Sequence, residues 1–201
     1  DGILTMPLDL ARAIVEESHH ASRPVFAHVS NDQGIEVAIQ SKADILTHTT
    51  PVDQPWSLSL VKRMIAAHMA LTPTLTLWDF ESKKFNTTPA EVEKGMVKAA
   101  GQLKTFSDAG GQVLFGTDVG YTDHFDTAEE FAWMSRAGMS FEQILASLTT
   151  NPAGRFGYSQ QSGRIAKGMD ADLVVLREDP QHDVTAFSRV RYTIRHGEII
   201  Y

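Results

Sequence analysis

The sequence predicts an α/β chain in which four βα repeats are followed by a small antiparallel β unit. Three observations lead there. Four short apolar or threonine-rich runs, at 25–29 (VFAHV), 44–48 (DILTH), 71–77 (LTPTLTL) and 113–117 (VLFGT), alternate with stretches of helical periodicity. From Ser162 onward the texture changes, and glycines and charges punctuate short β-type runs at 172–176, 190–195 and 198–201. The length of 201 residues, 42% of them hydrophobic, suffices for one good-sized core, or one core with an appendage.

Taken in order, residues 6–21 read as an amphipathic helix with Pro7 in its first turn and Leu10, Ile14 and Val15 as its stripe. Pro24 ends any helix and the first strand follows. Residues 31–41 form a second helix with Ile35, Ala38 and Ile39 on one face, leading to the strand that ends at His48. A helix over 55–68 carries Leu58, Val61, Ile65 and Met69 at helical spacing. The 71–77 run is an irregular strand because Pro73 lies inside it, and Trp78 then lines a pocket or plugs its rim. Thr88 and Glu91 form a capping box that opens a long helix to about Ala109, stopped by Gly110-Gly111 ahead of the fourth strand. Capping boxes at Asp126/Glu129 and Ser140/Gln143 start two more helices, and 150–157 holds a last helical turn. The domain boundary falls near 160, giving 1–160 and 161–201. Four βα units imply a parallel sheet with right-handed crossovers. Two architectures fit, a small doubly wound open sheet or half of a (β/α)8 barrel.

Composition narrows the function. The net charge is −7 and no Lys/Arg cluster stands out, so nucleic acid and anionic membranes are poor partners. No run approaches the roughly 18 apolar residues of a membrane span. The expectation is a soluble protein, cytoplasmic or periplasmic. The chain has no cysteine, which excludes disulfides, iron–sulfur clusters and thiolate zinc sites.

Three side chains stand at corresponding places. His28 is near the end of the first strand, His48 ends the second and Asp118 follows the fourth in Gly116-Thr117-Asp118. Carboxyl ends of parallel strands lie at one edge of the sheet, where ligands and chemistry gather. Two neutral imidazoles and one carboxylate suit Zn²⁺ or a similar borderline divalent ion. Each alone has a plain structural explanation: a hydrogen-bonded core histidine, or an aspartate capping the next segment. Having all three in register favours the metal.

Pro24-Val-Phe-Ala-His28, Ile45-Leu-Thr-His48, Pro73-Thr74-Leu75 and Gly116-Thr117-Asp118 occur in the order seen in the amidohydrolase superfamily. Asn151-Pro152-Ala153 and the run from Gly163 through Gly168 and Asp172 to Leu176 match as well. Over nearly its whole length the chain resembles the imidazolonepropionase-like and prolidase-like metal-dependent hydrolases. That resemblance implies the C-terminal half of a (β/α)8 barrel, with strands five to eight, and part of a small β-sandwich. It implies His28, His48 and Asp118 as ligands of one or two Zn²⁺-like ions. It also implies Asp118 as the general base that takes a proton from a metal-activated water and passes it to the leaving nitrogen. Tyr121 and His124, in the loop after Asp118, are assigned to substrate contact.

The chain departs from the family pattern in lacking a His-x-His pair; its adjacent His19-His20 ends a predicted helix and reads as surface. A strand-four lysine would fall before Asp1. Strands one to four are expected as another segment or a partner chain, because a half barrel exposes sheet edges and an apolar interior lined by Phe26, Leu46, Thr74 and Leu114. A homo-oligomer is also compatible. The expected activity, with that half present, is hydrolysis of an amide, cyclic amide or dipeptide-type C–N bond in a small molecule. Alternatives are an esterase or lactonase with the same chemistry, or an inactive remnant that serves only in folding or assembly.

Overall fold

The computed structural model describes residues 4–85, 87–123 and 125–201. The chain divides into two compact units, Asp1–Gly116 and Thr117–Tyr201.

In the first unit, helices alternate with short strands: α1 (Leu8–His20), β1 (Phe26–His28), α2 (Asp32–Ser41), β2 (Ile45–Thr47), α3 (Leu58–Ala66), β3 (Ala70–Thr72), α4 (Thr76–Lys83) and α5 (Pro89–Asp108). Strands β1, β2 and β3 pair in that order and in parallel. The helices between them start on local caps. Asn31 accepts the Gly34 N–H to cap α2, and Ser57 accepts the Leu60 N–H to cap α3. Where α5 ends, Gly110 takes φ +84°, a left-handed conformation that suits glycine.

The expected third and fourth strands are shorter than the sequence suggests. β3 stops at Thr72 because Pro73 has no N–H to give the ladder, and 76–77 turn into α4 instead. The fourth is a single parallel bridge, Leu71 with Val113, held by Leu71 N–H to the Gln112 carbonyl (2.9 Å) and Leu114 N–H to the Leu71 carbonyl (2.8 Å). The sheet therefore has three strands, not four.

Register decides which side chains share a face. Phe26 stands opposite Ile45, and Ile45 opposite Ala70, so these three share a face; Ile45, Ala70 and Leu114 form a buried apolar cluster. Leu46 falls on the opposite face with Ala27 and Leu71, so it does not line the same interior as Phe26. Among the described residues β1 pairs only with β2. Phe26 is 51% exposed there, and an apolar cavity of about 380 Å³ is lined by Ile14, Val15, Phe26, Val29, Val37 and Ala38. Leu10 and Ile14 of the expected α1 stripe are half exposed, whereas Val15 is buried.

The second unit contains α6 (Ala128–Arg136), α7 (Phe141–Leu148), α8 (Thr150–Arg155), a 3₁₀ turn (Val184–Ser188), and strands β4 (Leu173–Leu176), β5 (Val190–Arg195) and β6 (Glu198–Ile199), paired antiparallel in that order. The helices are not separate from the β region. The Phe187 ring lies 5.3 Å from Phe131 of α6 and stacks 5.8 Å from Phe141 of α7 with 7° between planes. That aromatic packing ties the helical segment to the β region across the change in sequence texture near 160. The Ser140/Gln143 capping box forms. The Asp126/Glu129 box does not: Asp126 accepts the Ala128 N–H two residues on, and α6 starts one residue later than the box requires. Among the described residues no helix is long and apolar enough to cross a membrane.

The capping box of α5 supplies a pH test. Glu91 Oε2 accepts the Thr88 hydroxyl (2.6 Å) and N–H (2.9 Å), which holds its carboxyl below the usual glutamate range. A carboxyl with a lowered folded-state pKa adds stability above its unfolded pKa, and this is lost as pH falls through the folded value. Thr88→Ala should cost about 1 kcal/mol near neutral pH. In urea titrations the gap to wild type should narrow below the usual glutamate pKa; a gap that widens there contradicts the assignment.

Candidate functional site

The site is built where β1 and β2 end. His28 closes β1, and His48 directly follows Thr47, the last residue of β2. Parallel pairing sets His28 opposite Thr47, which brings the two rings together edge to face with centroids 4.8 Å apart and planes at 75°. His28 is exposed, and His48 is 5% exposed. The structure thus brings together two histidines that are twenty residues apart in sequence.

His48 is held from several directions. Its N–H donates to the Thr72 carbonyl at 2.8 Å, and its Nδ1 lies 2.6 Å from Thr74 Oγ1. The backbone there is unusual: His48 has φ +71° and Thr74 φ +45°, both left-handed. For a β-branched residue such as threonine that conformation is an outlier, which persists only where surrounding contacts over-determine it. Gly116 packs against the same place, since a Cβ on it would lie 2.5 Å from Thr72 Cγ2. The glycine of the Gly-Thr-Asp motif is required by close approach.

The loop after His48 is buried, so its backbone groups need partners. Gln102, fully buried on α5, supplies them: its Oε1 accepts the Thr50 N–H (2.7 Å), and its Nε2 donates to the carbonyls of Thr50 (3.0 Å) and Gln54 (3.1 Å). Trp56 Nε1 donates to Thr50 Oγ1 and Trp78 Nε1 to Thr49 Oγ1, each at 2.9 Å. Trp78, expected to line a pocket or plug its rim, fastens this loop from α4. Lys98 Nζ donates to the Asp53 carbonyl at 2.9 Å, and Asp53 Oδ2 accepts the Asp32 N–H at 2.6 Å. Burial, and then the Asp53 charge, push the Asp32 carboxyl above its usual range. Neither Gln102 nor Trp56 carries a role in the sequence reading, and Thr74 enters it as a motif and barrel-interior residue rather than as a partner of His48. The available signal was a lone amide among Ala99, Leu103 and Phe106 on the buried stripe of α5.

Asp118 belongs to the second unit. It is half-buried, has φ +60°, and its carbonyl accepts the N–H groups of Tyr121 (3.2 Å) and Thr122 (3.1 Å), which closes a tight turn. Tyr121 is 57% exposed. Thr122 is buried, and its hydroxyl has no hydrogen-bond partner among the described residues. His124 lies outside the described residues. Among the described residues no group of three or more His, Cys, Asp and Glu side chains is placed to hold a metal ion. His19, expected at the surface, is exposed and pairs with Asp44 at 2.8 Å.

The sequence model of the amidohydrolase family matches residues 4–200, and the chain belongs to that family. It is 26% identical over 181 residues to the ochratoxinase of Aspergillus niger, a match that covers 88% of this chain and 37% of the relative. A shorter match, 36% identical over 66 residues, links 31% of the chain to 16% of the imidazolonepropionase of Thermoplasma acidophilum. The crystal structure of a prolidase complexed with N-methylphosphonate-L-proline superposes with a TM-score of 0.80 at 27% identity, over 97% of this chain and 49% of that one. The chain thus spans 37% of the ochratoxinase and about half of the prolidase.

Two substitutions test how the site is held. Gln102→Leu, which leaves buried backbone groups of Thr50 without partners, should destabilise the protein by about 1–3 kcal/mol and speed amide exchange at Thr50. Gly116→Ala should cost about 1–3 kcal/mol through the clash with Thr72. Chemical denaturation checks both, and an unchanged midpoint for either removes that residue from the account.

Proposed function

We propose that this chain carries part of the active site of a metal-dependent amidohydrolase that cleaves a C–N bond in an amide, cyclic amide or dipeptide-type small molecule. The observation that carries the reading is the His28–His48 ring pair at the ends of adjacent parallel strands. In this reading 1–160 is the strand five-to-eight portion of a (β/α)8 barrel and 161–201 is part of a small β-sandwich. Membership of the amidohydrolase family supports it, as does the superposition on the prolidase.

His28, His48 and Asp118 would hold one or two Zn²⁺-like divalent ions. Two imidazoles suit such an ion. These three side chains alone would hold one ion weakly, and in this reading tight binding draws on further groups from the N-terminal half of the barrel. A bound divalent ion supplies Lewis acidity, which polarises a scissile carbonyl and lowers the pKa of water. Asp118 acts as general base, taking a proton from the attacking water at its carboxylate and returning it to the leaving nitrogen. Tyr121 and His124, in the loop that follows, contact the substrate, and the phenol can donate to a carbonyl oxygen.

The test uses the chain together with its N-terminal barrel half, with dipeptides ending in proline and N-acyl amino acids as substrates and zinc measured by mass spectrometry after dialysis. His28→Ala and His48→Ala should each lower the bound zinc. Asp118→Asn should lower turnover by about 10²–10⁴-fold while circular dichroism stays unchanged. Full turnover in Asp118→Asn overturns the general-base role, and zinc retention in both histidine variants overturns the metal site.

A further inference from the structure

We infer that Thr74 is a positioning residue that holds His48 in its Nδ1–H tautomer, so that the Nε2 lone pair is the one His48 offers beside His28. A threonine hydroxyl has one hydrogen to give. Thr74 Oγ1 lies 2.9 Å from the Pro73 carbonyl, an oxygen that can only accept, which assigns the hydroxyl hydrogen to that contact. The same oxygen lies 2.6 Å from His48 Nδ1, and having given its hydrogen away it can only accept there. Nδ1 therefore carries a proton, and in a neutral imidazole Nε2 then carries none.

The surroundings keep the hydroxyl in place. Thr74 is 3% exposed, so water does not compete for it. Pro73 offers its carbonyl but no N–H, and the Thr49 N–H approaches the same carbonyl at 3.3 Å. Thr74 bears a left-handed φ of +45°, which glycine would adopt without strain. A strained residue whose hydroxyl bridges a carbonyl and an imidazole is where strain has a functional use. His48 is immobilised in turn by its own N–H to Thr72. A fixed tautomer and ring orientation are what a histidine needs to ligate a divalent ion through Nε2, and this consequence rests on the reading proposed above.

The test separates the tautomer from ligation. Metal-free protein labelled with ¹⁵N-histidine is measured by long-range ¹H–¹⁵N correlation about two pH units above the ordinary imidazole pKa. His48 is assigned as the ring signal lost in His48→Gln. Wild type should show a protonated Nδ1 and an unprotonated Nε2 at His48. Thr74→Ser should keep that pattern. Thr74→Val, and Thr74→Gly, which removes the hydroxyl while easing the backbone, should lose it toward the Nε2–H form. An Nε2–H tautomer in wild type, or an unchanged pattern in both the valine and glycine variants, overturns the inference. A zinc titration then reads the consequence: affinity should fall about 10–100-fold in Thr74→Val and Thr74→Gly and be retained in Thr74→Ser. A changed tautomer with unchanged zinc affinity leaves Thr74's role standing and overturns ligation by His48.

Discussion

A buried backbone must have its hydrogen bonds met, and the segment after β2 meets them with side chains from elsewhere in the first unit. Residues 49 and 50 are fully buried, yet they are in neither helix nor strand. Gln102 accepts one N–H and donates to two carbonyls, and two tryptophan N–H groups take the threonine hydroxyls. A side-chain amide suits this work because it carries a donor and an acceptor on one plane, as the backbone does. The position of His48 follows, since the loop and β3 hold it from both sides.

Left-handed backbone recurs along the chain, at Ser22, Lys42, His48, His68, Thr74, Asp118 and His196 among the described residues. His48 and Thr74 adopt left-handed backbone conformations within one hydrogen-bonded pair, and Asp118 adopts one in the turn of the second unit. By contrast, Lys42 has a similar φ as the C-cap of α2, where a left-handed residue commonly ends a helix. His48, Thr74 and Asp118 lie in the segments that follow the strand runs, where a chain leaving a parallel sheet must change direction quickly. At His48 and Thr74 the cost is met by neighbouring contacts, among them the Thr49 N–H to Pro73 and the close packing of Gly116 on Thr72.

The two units are stabilised differently. The first rests on a parallel sheet whose buried cluster of Ile45, Ala70 and Leu114 is set by register, while its β1 edge keeps Phe26 half exposed. The second has Phe187 against rings from two helices, so that a 3₁₀ turn between β strands fastens the helical segment to the β region. Those aromatic contacts join residues about fifty apart, and a change in local composition near 160 gives no sign of them.

What the sequence determined by itself is what short-range chemistry encodes. The Thr88/Glu91 and Ser140/Gln143 boxes, the glycine stop of α5 and the histidines at strand ends all involve groups within a few residues of one another, and the family is legible in motifs of the same reach. Where two local options competed, as at Asp126 with its Ala128 turn, the pattern was ambiguous. Tertiary structure decided the end of β3 at Pro73, the face of Leu46, the partner of Trp78 and the loop clamp at Gln102. The last spans fifty-two residues. The physical reason is that a hydrogen bond between distant segments leaves no periodicity behind it, and a buried glutamine shows its purpose only once the backbone it satisfies is in place.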